Sequence, residues 1–425
     1  MHFCSHHILF KFFFSFSLVG LLTGCKPVAH PPLQLIAWLS SAEKTHFKAQ
    51  LVEFSLQNSG IQVDLIACNN RTQCRAEFES RFKVGQAPDV CMIAAQDLAY
   101  WIQSKKIRNL LAYQPDEQSF VSKVWEAFVQ KDRLYALPFR WSTLALYYNR
   151  TIFEQHGVPF PQTSWEWGDL LTAAQALTVW DERHAETIQY GLEVSPSVEM
   201  WAPLVWQNYG EFAREGGTCV LADPQFLQSN LQAIGFYADL LREHHVAPSL
   251  SLGGYPPKGS LFLTRKAAMT FGDRELGYYL QKRFPGEWDV TELPRGRQAA
   301  SLLKVEGYAI STQTKYPDNA WKLISFLTRE TCQAIMIQEG NHAPSWQSLL
   351  SSKIFLDFPG PRPVQNSVFT NSLGFAKLPP RVPEWQKVSI ALTEEMSNLM
   401  MNPQISARRS VEQMQVQWDK SVHGK

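Results

Sequence analysis

The stretch "RLYALPFRWSTLALYYN", residues 133–149, places an Arg-Trp pair in the middle of an apolar run that is rich in aromatic side chains. A buried strand is expected to be apolar throughout, whereas a surface loop is expected to be polar. Arg140 and Trp141 fit neither description. The stretch is therefore neither a simple core strand nor a simple loop.

On its N-terminal side the chain alternates between strands and helices. Residues 33–39, "LQLIAWL", 61–67, "IQVDLIA", and 87–94, "APDVCMIA", each predict a strand. Ser40, followed three residues later by Glu43, has the spacing of a helix capping box. The alternation predicts an α/β lobe with a parallel sheet, right-handed crossovers and a crevice at the carboxyl ends of the strands.

Polar and aromatic residues follow two of these strands and are candidates for ligand contact. Trp38 and Ser40 end the first strand, and Gln96 and Asp97 follow the third. Open α/β sheets bind ligands at this edge. Helical spacing returns in residues 164–177, 227–241, 320–327 and 385–418, whereas residues 343–383 are rich in Pro and Ser and predict a long irregular excursion.

Composition narrows the class of function. The chain has 40 Lys+Arg and 39 Asp+Glu, a net charge of +1, which gives no electrostatic footprint for nucleic acid. Its 14 Trp are more than a core requires, so some rings are expected to bind ligand. A mature length of about 400 residues predicts two lobes, since one core seldom grows that large.

The N-terminus predicts export. Residues 8–25, "ILFKFFFSFSLVGLLTGC", form a short apolar run behind Lys11 and end in the spacing of a lipoprotein cleavage box. We expect residues 1–24 to be a signal peptide, Cys25 to carry lipid, and residues 25–32 to be an anchored linker outside the cytoplasmic membrane, on the periplasmic side if there are two membranes. A plain secretory signal or an uncleaved anchor is the alternative.

Five cysteines follow Cys25, an odd number that cannot pair completely within the chain. Cys68 and Cys74 flank "NNRTQ" and are close enough in sequence to close a small loop by a disulfide. Two unpaired thiols are the alternative. No metal-binding spacing such as CxxC occurs, and we predict neither a metal nor a cofactor.

Reaction motifs are also missing from the sequence. GxSxG, HExxH, GxxxxGK[ST] and GxGxxG do not occur, so the chain is predicted not to be an enzyme. An exported sugar hydrolase that uses cleft carboxylates such as Asp273 and Glu306 is an alternative, and a structural lipoprotein without a ligand is another.

Four blocks resemble the extracellular solute-binding proteins of ABC importers, in the group that includes maltose- and glycerol-phosphate-binding proteins. They are "APDVCMIAAQDLAYWIQSKKIRNL" (87–110), the block from "RLYALP" to "AAQALT" (133–178), "RKAAMTFGDRELGYYL" (265–280) and the block from "KVEGYAIS" to "GNHAPS" (304–345). The second and fourth blocks are the specific ones. The resemblance implies the type II periplasmic-binding-protein fold, in which two α/β lobes are joined by strand crossings at a hinge.

The resemblance also implies where the lobes divide. We expect 33–140 and 269–311 to form lobe 1, and 141–268 and 312–425 to form lobe 2. Arg140 and Trp141 would then lie at the first crossing. There the Arg offers a donor fork and the Trp a stacking face to a ligand, or the Arg bridges the lobes through a carboxylate with the Trp as cover.

Further cleft residues follow from the other implied crossings. Asp273 would lie on a turn after its strand, and Glu306, Gly307 and Tyr308 would line the cleft floor. From "EMWAPLVWQNYG" the second lobe would offer Trp201 or Trp206, and Trp201 is favoured because the two do not share a helical face.

The resemblance implies a monomer that captures a small solute and delivers it to a membrane permease with its ATPase. Aromatic rings beside Asp, Glu, Gln and Arg favour a sugar or oligosaccharide over a phosphate, for which several free Arg would be expected. A glycerophosphodiester or another polar metabolite is the alternative solute.

Overall fold

The computed structural model describes residues 31–248, 260–284, 286–338, 342–357 and 366–424. The predicted signal peptide (1–24), the lipidation site at Cys25 and the linker up to residue 30 lie outside the described residues.

The described residues contain strands and helices in alternation. The strands are β1 (Leu33–Trp38), β2 (Val63–Cys68), β3 (Val90–Ala94), β4 (Val129–Gln130), β5 (Arg133–Leu134), β6 (Leu137–Thr143), β7 (Ala145–Asn149), β8 (Val179–Asp181), β9 (Glu186–Glu193), β10 (Ala267–Gly272), β11 (Trp288–Thr291), β12 (Ser301–Ile310), β13 (Ala343–Pro344) and β14 (Ala376–Lys377). The helices are α1 (Ser41–Gln57), α2 (Arg71–Lys83), α3 (Leu98–Gln103), α4 (Ser122–Glu126), α5 (Arg150–His156), α6 (Trp167–Ala176), α7 (Val198–Gln207), α8 (Leu227–Arg242), α9 (Ser260–Leu263), α10 (Arg274–Arg283), α11 (Pro317–Leu327), α12 (Glu330–Gln338), α13 (Lys353–Leu356), α14 (Ser367–Leu373), α15 (Trp385–Met401) and α16 (Ala407–His423).

The first lobe is built on a seven-stranded sheet in the order β13-β6-β12-β3-β1-β2, with β14 paired to β12. β1 runs parallel to β2 and β3, as the sequence predicts, and β12 runs antiparallel to β3 and β6. The predicted capping box at the start of α1 is confirmed, because Ser40 and Glu43 each bind the other's backbone N–H. Helix α1 therefore begins directly at the carboxyl end of β1.

The second lobe is built on a five-stranded sheet in the order β11-β7-β10-β9-β8. β10 pairs with β7 in antiparallel and with β9 in parallel orientation. Helices α7, α8, α15 and α16 pack together beside this sheet and contribute to its apolar core. The molecule thus has the α/β architecture of two separately packed lobes.

Within the described residues, three chain segments lead directly from one of these two cores to the other. Phe139 and Trp141 belong to the first core and Leu144 to the second, so the first crossing lies at the end of β6. β12 passes in the opposite direction, from Leu302 in the second core to the residues after it in the first. The segment after β14 returns from the first core to Val382 in the second.

The predicted lobe boundaries are wrong for two segments. Residues 269–284 and 286–300 lie in the second lobe, because β10 and β11 pair with β7 in the second sheet. Helices α11 and α12 lie in the first lobe, where Phe326 packs edge-on against Phe54 of α1 with ring centroids 5.3 Å apart. An apolar strand or helix face can be recognised from sequence spacing, but the spacing does not say which of two cores it joins.

The loop between β2 and α2 is closed covalently. Cys68 and Cys74 form a disulfide with their Cα atoms 5.4 Å apart, the pairing that the sequence left open. Cys91, Cys219 and Cys332 are buried free thiols.

Candidate functional site

Arg140 lies between two carboxylates where the lobes meet. Its Nη1 donates to Oε1 of Glu43 at the start of α1, and its Nε donates to Oε2 of Glu306, its cross-strand neighbour on β12. The Arg140 residue is 6% exposed, so these ion pairs are largely shielded from water. The other Glu43 oxygen accepts from Ser40 N at 2.7 Å, which makes the capping box of α1 part of the same network.

The charges in this network stabilise one another. Burial would raise the pKa of Glu43, but the guanidinium of Arg140 and the nearby His342 lower that pKa well below its ordinary value of 4.5. Burial likewise opposes ionisation of Glu306, yet Arg140 and His342 leave the pKa of its carboxyl lowered. Both carboxylates are therefore ionised at neutral pH.

A second charged group lies on the same strand, two residues before Glu306. Lys304 Nζ is 3.0 Å from Oδ2 of Asp273, the residue before α10, and 3.5 Å from Oε2 of Glu199 on α7. Burial would lower the pKa of Lys304, but Glu199 and Asp273 raise it overall. Because alternate residues of a strand face the same side, Lys304 and Glu306 carry polar contacts from both lobes along one face of β12.

Aromatic side chains lie at the edge of this charged face. Trp38, at the carboxyl end of β1, donates from Nε1 to Oε1 of Glu306 at 3.2 Å. Tyr279 of α10 belongs to the other lobe and is 43% exposed, with its hydroxyl 3.4 Å from a Glu275 oxygen. Each lobe thus supplies an aromatic ring and hydrogen-bonding groups to the cleft.

Gln96 and Asp97, which the sequence predicts as ligand contacts, follow β3 and are buried against α2. Asp97 is buried between Arg71 and Arg75 of α2, with nitrogen–oxygen distances of 3.6 and 3.7 Å. When its amide oxygen faces Arg71, Gln96 accepts a hydrogen bond from Nη2 at 2.9 Å. Burial raises the pKa of Asp97, and the two arginines act against that rise.

A separate groove of about 540 Å³ lies between the lobes and is lined by Leu303, next to Lys304 on β12. Alternation along the strand places Leu303 on the opposite face from Lys304. Two cations of this groove have partners, since Lys377 pairs with Glu211 at 3.1 Å and Arg381 donates to Val129 O at 2.8 Å. The groove is therefore distinct from the charged cleft.

The described residues contain neither a metal-site cluster nor a helix that could cross a membrane. Within residues 31–424, apart from the gaps given above, no cluster of His, Cys, Asp and Glu has the arrangement of a metal site. None of the helices in the same described ranges combines the length and apolarity that a membrane crossing requires.

Comparisons with known proteins agree with this architecture. The model of the bacterial extracellular solute-binding protein family matches residues 53–334. The chain belongs to that family.

Similar proteins include several that bind sugars or related solutes. A galactooligosaccharide-binding protein of Bacillus subtilis (strain 168) is 20% identical over 370 residues, covering 84% of this chain and 82% of that protein. An ABC substrate-binding protein from Listeria monocytogenes, solved in complex with cycloalternan, is 21% identical with a TM-score of 0.81 and covers 92% and 99% of the two chains. A protein named UgpB from Mycobacterium tuberculosis, solved with glycerophosphocholine, is 16% identical with a TM-score of 0.80 and covers 93% and 99%. At these identities the solved structures establish the two-lobe fold.

The structure of this solute-binding protein brings several of the predicted site residues together. Trp38, Ser40, Arg140 and Glu306 form one network that includes Glu43, and Asp273 pairs with Lys304, two residues before Glu306 on the same strand. Gln96 and Asp97 belong to lobe 1 but contact Arg71 and Arg75 of α2 and not this network. Contact of any of these residues with a solute stays a prediction.

Other predicted residues are placed in the cores instead. Trp201 is fully buried and donates from Nε1 to Pro196 O at 2.9 Å, and Trp206 is also buried. Trp141 lies in the first core and donates to Pro344 O at 2.6 Å. Of its two predicted roles, a stacking face for a ligand or a cover over Arg140, this placement fits the second. In this conformation the rings of Trp201 and Trp141 offer no face to a solute, because each packs into an apolar core, and Trp206 borders the groove between the lobes.

Two predicted residues of the cleft floor have packing roles. A Cβ on Gly307 would come 2.5 Å from Leu137 O and 2.7 Å from the Phe128 ring, so only glycine fits there. Tyr308 is fully buried against Phe47 and Phe139. A bulge between Glu306 and Gly307 ends the alternation that would have carried the polar face further along β12.

Sequence reasoning missed four residues of the site. Glu43 was assigned only a capping role, although the same side chain also pairs with Arg140. Lys304 could have been found, because it stands two residues before Glu306 on a predicted strand. Glu199 and His342 carry no local signal, since their positions depend on packing between distant segments.

Proposed function

We propose that the protein captures a sugar or oligosaccharide in the charged cleft and delivers it to an ABC permease and its ATPase. The observation that carries the proposal is the continuous polar face of β12, where Glu306 meets groups of lobe 1 and Lys304 meets groups of lobe 2. A solute on this face would contact both lobes at once. It would stabilise the closed form by the difference between its affinities for the closed and open forms.

The charges of the cleft support a solute without negative charge. The two central cations, Arg140 and Lys304, are already shared among four carboxylates, Glu43, Glu306, Asp273 and Glu199. A phosphate brought here would compete with these carboxylates for the same donors. Sugar hydroxyls can instead donate to the carboxylate oxygens, and Trp38 or Tyr279 can stack on the apolar face of a sugar ring.

The protonation states of the site argue for binding without turnover. A glycosidase requires one carboxyl whose pKa is raised so that it can protonate the leaving group. Arg140 has the opposite effect on Glu306, whose pKa is lowered. We therefore propose a binding protein and not a hydrolase.

A thermal-shift panel tests this function. Maltotriose, a galactooligosaccharide and glycerophosphocholine are each added to the protein, and products are sought by chromatography. A bound saccharide at a hundredfold excess over its Kd should stabilise the fold by about 2.7 kcal/mol and remain intact. A rise in melting temperature with glycerophosphocholine alone would indicate that the solute is the alternative one and not a sugar. Hydrolysis products, or no rise in melting temperature with any compound, would contradict the proposal.

We further propose that Cys25 is lipidated and anchors the protein outside the cytoplasmic membrane. The support is the apolar run that ends in Leu22-Thr23-Gly24-Cys25. On cell fractionation, the Cys25→Ser variant should appear in the aqueous fraction, whereas the wild type should appear in the membrane fraction. Retention in the membrane would favour an uncleaved anchor.

A further inference from the structure

The loop closed by the Cys68–Cys74 disulfide is also held in shape by hydrogen bonds at the start of α2. Between Cys68 and Cys74, the Asn70 side chain caps α2 by accepting from Gln73 N at 2.9 Å. In return, Asn69 N donates to Oε1 of Gln73 at 2.9 Å. Both half-cystines are buried, so the disulfide ties the first turn of α2 to the end of β2 beneath the surface.

Arg71, the first residue of α2, extends from this loop to the cleft wall. Its Nε lies 3.6 Å from Oδ2 of Asp97, and its Nη2 is 2.9 Å from the Gln96 amide oxygen in the hydrogen-bonded orientation of that amide. One guanidinium therefore fixes the two consecutive residues that follow β3. Since Asp97 is 4% exposed, its charge depends on Arg71 and on Arg75 from the next turn.

Thr72, the next residue of the loop, contacts the opposite lobe. Gln386, in the first turn of α15, donates from Nε2 to Thr72 Oγ1 at 3.4 Å. α15 also lies against the turn of residues 95–97 that holds Gln96 and Asp97. The disulfide-closed loop thus touches the cleft wall of lobe 1 through one residue and lobe 2 through the next.

We infer that Arg71 is a positioning residue for solute capture and that the Cys68–Cys74 disulfide holds it in place. The inference rests on the proposed function, because it assigns Arg71 to the wall of the same cleft. Arg71 orients Gln96 and Asp97 toward their roles in the wall, and the fixed loop presents Thr72 to α15 when the lobes are together. Without the disulfide, the first turn of α2 can fray, which releases both contacts.

Hydrogen–deuterium exchange tests the inference without any solute. The variants are Arg71→Ala, Cys68→Ser with Cys74→Ser, and the combination of all three changes. Exchange of the amides of residues 95–98 should rise roughly tenfold in the first two variants, because local opening becomes easier. The combination should add little to either, since both changes act through one contact.

Two controls separate positioning from general stability. Arg81→Ala removes a guanidinium of the same helix that pairs with Glu77 at the surface, and it should leave the exchange of residues 95–98 unchanged. Arg71→Lys keeps the charge but not the fork, so it should restore part of the protection. Exchange in β1 and β3 should stay as slow as in the wild type.

Three results would overturn the inference: unchanged exchange at residues 95–98, additive effects in the combined variant, or a loss of protection that spreads through β1 and β3. A loss of protection that spreads through β1 and β3 would mean that the disulfide stabilises the whole lobe and not the loop alone. Affinity for maltotriose is then measured on the same variants by calorimetry. If the wild type binds no saccharide, the proposed function fails, while the exchange data still decide whether Arg71 positions the wall.

Discussion

Removing Arg140 is the perturbation for which the structure gives the clearest expectation. Arg140→Met keeps most of the apolar stem but leaves Glu43 and Glu306 facing each other without their cation. Breaking a buried ion pair by deleting one partner costs about 3–5 kcal/mol, because the remaining charge stays buried. We expect a loss of that size in the free energy of unfolding at pH 7.

The same charges predict how the loss depends on pH. In the wild type the pKa values of Glu43 and Glu306 are below the ordinary value of 4.5, so their stabilising contribution is present above pH 4.5 and declines as the pH falls below it. Without Arg140, His342 remains to oppose the effect of burial but the guanidinium does not, so both pKa values should rise and the folded variant should take up protons at a higher pH than the folded wild type. The gap between wild type and variant should therefore narrow from pH 7 toward pH 4.5.

Urea unfolding followed by tryptophan fluorescence at several pH values measures both effects. Arg408→Met is a matched control, since Arg408 makes an exposed pair with Glu412 at 3.7 Å on α16, worth at most about 0.5 kcal/mol. A loss in Arg140→Met no larger than in this control would refute the account of the network. So would a loss that is the same at pH 7 and pH 4.5.

Three further predictions concern packing and the cleft. Gly307→Ala should lower the free energy of unfolding by about 1–3 kcal/mol, because its Cβ would overlap Leu137 O, and urea unfolding would show this. Trp201→Ala should lower the free energy of unfolding by about 3–5 kcal/mol in the same assay. Trp180→Ala should lower it much less, because Trp180 is 57% exposed, and equal losses would contradict the core placement of Trp201. Lys304→Met should weaken maltotriose binding in calorimetry by roughly tenfold or more, since it leaves two cleft carboxylates without their cation, and Lys304→Arg should retain most of the affinity.

Local patterns predicted the elements of the fold well. The capping box at Ser40 fixed the start of α1, and the apolar spacing of residues 33–39, 61–67 and 87–94 identified the three parallel strands. These features depend on residues close in sequence, so a single chain reveals them. The candidate wall residues followed from the same strands, because ligands of open sheets bind at the carboxyl ends.

Features that depend on long-range packing were beyond the sequence. β10 is an apolar strand that would suit either sheet, and only its pairing with β7 and β9 places it in lobe 2. The resemblance predicts Trp201 as a ligand contact from the second lobe, but an indole whose N–H donates to a backbone carbonyl is equally stable in a core. Glu199 contacts Lys304 from a helix that is distant in sequence, and no spacing of residues in the sequence predicts that contact.

The central claim is that one solute is held by both lobes on the charged face of β12. Hydrogen–deuterium exchange with and without a saccharide from the thermal-shift panel tests it most directly. The account predicts simultaneous protection of residues 38–40 in lobe 1 and of residues 273–279 in lobe 2. Protection confined to a single lobe, or to residues 211–217 and 376–381 of the groove on the other face of β12, would contradict it.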